Sequence, residues 1–87
     1  MKTYFTKTFK KHYFKRIKPF PNLDQNFAER YNLFTENPNN QILDDHFLSG
    51  KMKGFRAFSI TGDIRVVYYI HDNIAYFVDI GTHNQVY

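Results

Sequence analysis

The sequence contains neither cysteine nor tryptophan. Without cysteine there is no disulfide, no thiolate metal site and no thiol nucleophile, and the chain suits a reducing compartment such as the cytoplasm. Four histidines remain, but none form an i, i+4 pair on a helical stretch beside a carboxylate, so neither a metal nor any other cofactor is expected. Long apolar runs are missing too. None approaches the roughly 18 residues of a membrane span, and no hydrophobic segment follows the first lysines as in a secretory leader, so the chain is expected to work in the cytoplasm. A last absence is local: residues 1–20 carry six Lys and one Arg but no acid, and residues 36–50 carry three acids but no Lys or Arg.

What is present is a short, aromatic, basic chain of 87 residues with net charge +4, ten Phe and seven Tyr. That length allows one domain, residues 1–87, with one modest core. A domain this small buries only about 60% of its unfolded surface, so large rings must carry most of the burial. The N-terminal lysines, joined by Lys51, Lys53 and Arg56, suit a polyanionic partner whose phosphate counterions they displace. A solvated helix face is the plainer account of the N-terminal cluster alone.

Periodicity orders the rest. Tyr4-Phe5-Thr6 reads as a short strand. Thr8 is placed to cap a helix from Phe9 to about Ile17, ended by Pro19 and Pro21. Asn22 caps a second helix whose Leu23, Phe27, Tyr31 and Phe34 form one apolar stripe, closed by Asn37-Pro38-Asn39-Asn40. From Gly54 the period changes to two. Phe55–Ile60, Ile64–His71 and Ile74–Ile80 predict three strands in an antiparallel meander, split by Thr61-Gly62-Asp63 and by His71-Asp72-Asn73. The expected fold is α+β, two N-terminal helices packed on a twisted antiparallel sheet. Residues 37–54 form the longest irregular stretch, and long loops in small domains are often functional.

Several side chains carry possible chemistry. Pairing about Gly62 is expected to bring Arg56 and Arg65 onto one face, where two guanidinium groups would need an anion between them. His83 follows Gly81-Thr82, where the glycine releases the chain from the last strand, and a histidine exchanges protons near neutrality. Tyr87 is placed to stack on a base. For each the bland reading competes: a surface arginine, an exposed terminal histidine, a frayed tyrosine. His46 in the loop and Asp63 in the turn complete the candidates, Asp63 being an ordinary turn residue on its own.

Taken in order, Leu43-x-x-His46-x-Leu48-x-Gly50, Lys53-Gly54-Phe55-Arg56, Gly62-Asp63-Ile64-Arg65-Val66-Val67-Tyr68, Gly81-Thr82-His83 and Tyr87 resemble the RelE/ParE toxin superfamily, and most closely its YafQ-like branch. Phe9-Lys10-Lys11 is similar to the start of that family's first helix, so the likeness spans nearly the whole chain. The resemblance implies a toxin that cleaves mRNA in the ribosomal A site without a metal and is neutralised by a cognate antitoxin. It also implies roles: His46 and Asp63 on the base side, His83 as the acid, Arg65 and Arg56 at the phosphate, Tyr87 orienting the nucleotide, and Lys51 and Lys53 on RNA backbone. One position departs from the YafQ-like pattern, which has a further histidine where this chain has Ser59. A ParE-like gyrase poison and a non-catalytic binding module are the alternatives; the first needs no acid-base set, and Ser59 favours the second.

Overall fold

Thr6, rather than Thr8, starts the first helix. In the computed structural model, which describes all of residues 1–87, its backbone is extended and its hydroxyl accepts from the Phe9 N–H at 3.2 Å while donating to the Phe77 carbonyl at 2.8 Å. One side chain thus caps the helix and ties it to the sheet, which Thr8, inside the first turn, does not do. Strand β1 is Lys2–Phe5, helix α1 Lys7–Arg16 and helix α2 Pro21–Glu36. Pro21 opens α2 instead of only ending α1. A proline costs nothing in the first turn, where its missing N–H has no partner, and no side chain caps this helix, Asn22 included.

The irregular stretch contains a 3-10 turn at Gln41–Leu43, a two-residue strand β2 at His46–Phe47, and a second 3-10 turn at Gly50–Met52. Strands β3 (Arg56–Ser59), β4 (Ile64–His71) and β5 (Ile74–Thr82) follow, and helix α3 (His83–Val86) closes the chain. The meander β3-β4-β5 is antiparallel as expected. Beyond the expectation, β1 joins β5 in parallel and β2 extends the other edge, giving a mixed sheet in the order β1-β5-β4-β3-β2. Asp72 and Asn73 both adopt left-handed backbone, φ 50° and 65°, which matches the twist of a two-residue hairpin between His71 and Ile74.

Both long helices cover one sheet face. Phe34 stacks on Phe58 with centroids 4.6 Å apart, and Phe77 meets Phe5, Phe9, Phe34 and Phe58. Val66, Tyr68 and Ile80 complete this buried layer. Alternation then fixes what lies opposite: Tyr69, Val67 and Arg65 on β4, and Ser59 and Ala57 on β3. On β5 the register steps from Val67↔Asp79 to Tyr68↔Phe77, so Val78 is the extra residue of a bulge. β1 pairs only with Ile74 to Phe77, and past its end α1 takes over the edge. Arg16 donates to the Ile80 carbonyl at 3.0 Å and to Asp79 at 3.2 Å, and His12 Nδ1 bonds Asp79 at 2.6 Å.

Candidate active site

The seven C-terminal residues are part of the fold, not a loose tail. Gly81 is the penultimate residue of β5, and one helical turn follows at once. The Gln85 side chain reaches back to accept the Thr82 N–H at 2.8 Å, one half of a capping box. Only glycine leaves room for this: a Cβ at position 81 would stand 2.5 Å from Gln85 Oε1 and 2.9 Å from Arg16 Nη1. The turn sets His83 and Tyr87 four residues apart on one side, with the Tyr87 N–H bonded to the His83 carbonyl at 3.1 Å. Their rings meet edge to face at 4.6 Å.

Facing them is the β2 segment. His46 Nδ1 lies 2.8 Å from the Asp44 carbonyl oxygen. A carbonyl only accepts, so the bond holds the proton on Nδ1 and leaves Nε2 as the basic nitrogen of the neutral ring. His46, Phe47, Leu48, Ser49 and Met52 form one wall and His83 and Tyr87 the other of a cleft of about 310 Å³. Lys51 and Lys53 are exposed around the 3-10 turn that carries Met52. Arg65 donates from Nη1 to Ser59 Oγ at 2.9 Å and stands 3.9 Å from the Asp44 carboxylate. Burial raises the Tyr87 phenol above its ordinary pKa, and the nearby Arg65 charge draws it part of the way back. His46, Arg65, His83 and Tyr87 are thus gathered at one end of the helix-free face.

Two candidates stand apart. Arg56 and Arg65 do not share a face: Arg56 is opposite Tyr68 and Ser59 opposite Arg65, and an odd offset between the two arginines along the pairing puts them on opposite sides. Arg56 instead binds Asp45, whose side chain is only 3% exposed, at 2.9 Å, and lies over the Phe47 ring at 4.2 Å. Tyr68 donates its hydroxyl to the same carboxylate and accepts from Arg56 Nε at 3.1 Å. Burial and then the Asp45 bond push the Tyr68 phenol well above its ordinary pKa. For Arg56, burial acts downward but the Asp45 and Tyr68 interactions outweigh it and raise the pKa. Asp63 is exposed at the tip of the β3-β4 turn, its N–H bonded to the Thr61 hydroxyl at 3.2 Å, and does not line the cleft.

Sequence reading missed Asp45, Ser59 as the partner of Arg65, and Arg30. Arg30 reaches from α2 to the Ile42 carbonyl at 3.0 Å and the Ser59 carbonyl at 3.1 Å, holding the loop and the end of β3 together. Only one of these had a visible signal, the acid directly before His46.

This fold is that of a known class of small α+β toxins. A histidine-to-glutamine mutant of YafQ from E. coli superposes with a TM-score of 0.81 at 21% identity, covering 98% of this chain and 96% of that one. A metal-bound toxin from Helicobacter pylori gives 0.77 at 28% identity over 100% and 99%. A YoeB/ParE toxin from Agrobacterium tumefaciens gives 0.77 at 17% over 95% and 99%. No protein of curated function matches the chain in sequence. Residues 1–87 match the family described as bacterial toxin of type II toxin-antitoxin system, YafQ, and the chain belongs to that family.

Proposed function

We infer that the chain is an endoribonuclease that cuts mRNA in the ribosomal A site by metal-independent acid-base chemistry, inhibiting translation in the cytoplasm, and that a cognate antitoxin restrains it. The observation that carries this reading is the cleft with His46 on one wall and His83 and Tyr87 on the other, beside Arg65. The antitoxin follows from family membership and from solved DinJ-YafQ toxin-antitoxin complexes of E. coli, which share the fold at 20–21% identity.

Without a metal, RNA cleavage needs a base for the 2′-OH, positive charge for the phosphorane and an acid for the leaving group. His46 Nε2, left basic by the Asp44 bond, takes the 2′-OH proton. The O2′–P bond forms, the P–O5′ bond breaks, and His83 gives a proton to O5′, leaving a 2′,3′-cyclic phosphate and a 5′-hydroxyl. Arg65 stabilises the phosphorane, oriented by Ser59. Tyr87, set beside His83 by the terminal helical turn, orients the nucleotide, and Lys51 and Lys53 bind backbone phosphates. Asp63 lacks a place in the cleft, so the base role goes to His46. Arg56 is engaged with Asp45 and serves to position the His46 segment.

The test is primer extension on translated mRNA with the wild-type chain and His83→Gln. Codon-phased cuts that vanish in the variant while its melting temperature holds are the expected result. Equal cutting by both proteins removes His83 from the mechanism, and gyrase-dependent DNA breaks in place of mRNA cuts would sink the whole reading.

A further inference from the structure

Outside the lining of the cleft, the helix-free face carries a row of four rings, three on strands β1, β5 and β4 and one just before β3. Tyr4 on β1 lies 5.6 Å from Tyr76 on β5, Tyr76 stacks on Tyr69 of β4 at 5.0 Å and 12°, and Phe55, just before β3, meets Tyr69 edge-on at 5.7 Å. Strand register places them side by side, with Tyr4 opposite Tyr76 and Tyr76 opposite Tyr69. Cross-strand ring pairs stabilise a sheet wherever they occur, and that accounts for part of this row. It does not account for the exposure. Tyr4 is 55% exposed and Phe55, Tyr69 and Tyr76 are half-buried, and whereas the hydroxyls of Tyr13, Tyr31 and Tyr68 are bonded inside the fold, those of Tyr4, Tyr69 and Tyr76 have no partner within the chain.

The row adjoins the cleft. Leu48, which lines the cleft, donates its N–H to the Phe55 carbonyl at 2.9 Å, and Phe55 donates to the carbonyl of Met52, another lining residue, at 3.0 Å. From Arg65 to Tyr69 is four residues of one strand, roughly 13 Å, the length of about four stacked nucleotides. The charge around the row is basic. Lys2 shares the face one step beyond Tyr4, Lys53 is exposed two residues before Phe55, and the one carboxylate that the register puts on this face of β5, Asp79 opposite Val67, is engaged by His12 and Arg16. Aromatic faces that take bases, with lysines for the backbone, are what sequence-tolerant binding of single-stranded nucleic acid requires.

We propose that Tyr4, Tyr76, Tyr69 and Phe55 form a stacking platform for the bases of single-stranded RNA flanking the scissile phosphate, a subsite separate from the residues of the cleft. It rests on the cleavage reading above only for the identity of the strand. The rings provide affinity and hold the RNA in register, and Lys2 and Lys53 contact its phosphates.

Fluorescence anisotropy with a labelled single-stranded RNA of about eight nucleotides tests the platform, using the intact chain carrying His83→Gln to avoid self-poisoning. Tyr4→Leu and Tyr76→Leu each weaken binding by about fivefold or more, while Tyr4→Phe and Tyr76→Phe, which keep the ring, bind as the parent does. Tyr4 lies outside the core, so its variants remain informative if Tyr76→Leu fails to fold. Unchanged affinity in a folded Leu variant overturns the proposal, as does a parent with no measurable affinity at low salt. Loss of antitoxin association with RNA affinity intact also overturns it, reassigning the row to a protein partner. Failure of the wild type to cut ribosome-bound mRNA, with ring-dependent RNA binding preserved, supports the platform and removes the cleavage reading alone.

Discussion

Ser59 stands where the YafQ-like pattern has a histidine, and its hydroxyl accepts from Arg65 at 2.9 Å while the residue is 8% exposed. A serine there cannot exchange protons near neutrality, but it fixes a guanidinium that would otherwise be free to swing toward Asp44, 3.9 Å away. In the proposed mechanism this position orients a cation instead of carrying a second proton. If the transition state alone loses what such a bond contributes, about 1 kcal/mol, Ser59→Ala is expected to slow single-turnover cleavage on programmed ribosomes by about fivefold with little change in melting temperature. A rate equal to that of the wild type would show that Arg65 needs no such partner. At this scale residue type and order were enough to single out His46, Arg65, His83 and Tyr87 as candidates, and the fold brings those four together. The pairing of Ser59 with Arg65 was not, because it depends on strand register, and a slip of one residue exchanges the faces. The same dependence separated Arg56 from Arg65 and sent Arg56 to Asp45, a carboxylate whose burial no local pattern announces.

Short elements carry the site. β2 has two residues and α3 four, too few for an alternating or helical period to register in a sequence, whereas α2 and the meander strands showed theirs clearly. α3 did leave one trace, the Thr82-x-x-Gln85 spacing of a capping box, but without an apolar run behind it the spacing passed for a tail. A four-residue helix has almost no stability of its own. It persists because Gln85 caps it, Val86 is buried and Gly81 admits Gln85 and Arg16 closely. Gln85→Ala removes the acceptor for the Thr82 N–H and is expected to cost about 1 kcal/mol. Because His83 and Tyr87 are placed by this turn, cleavage should fall further than the stability loss explains. The comparison of urea midpoints with cleavage rates decides: a variant that loses stability but cuts normally would mean that α3 is ordered by the ribosome or the RNA rather than by its own cap.

At the scale of the whole molecule, two tyrosines bond carboxylates between elements. Tyr13 of α1 donates to Asp24 of α2, and Tyr68 of β4 donates to Asp45 beside β2. In both, burial first and then the bonded carboxylate raise the phenol above the ordinary value of 10.0. The unfolded chain therefore loses these protons at a lower pH than the native chain does. The stability they provide is complete below the unfolded value and declines as pH rises through it toward the raised native values, since the native state then binds more protons than the unfolded one. A domain of this size has little margin, so the wild type is expected to lose melting temperature steeply above about pH 10. Tyr68→Phe leaves Asp45 with Arg56 as its one side-chain partner and starts lower at pH 8, yet its melting temperature should fall less between pH 8 and 11, because one of the raised phenols, Tyr13 and Tyr87 remaining, is gone. Thermal melts of both proteins across that range settle the matter: parallel curves would mean that the Tyr68 hydroxyl is not linked to folding and that the alkaline loss arises elsewhere.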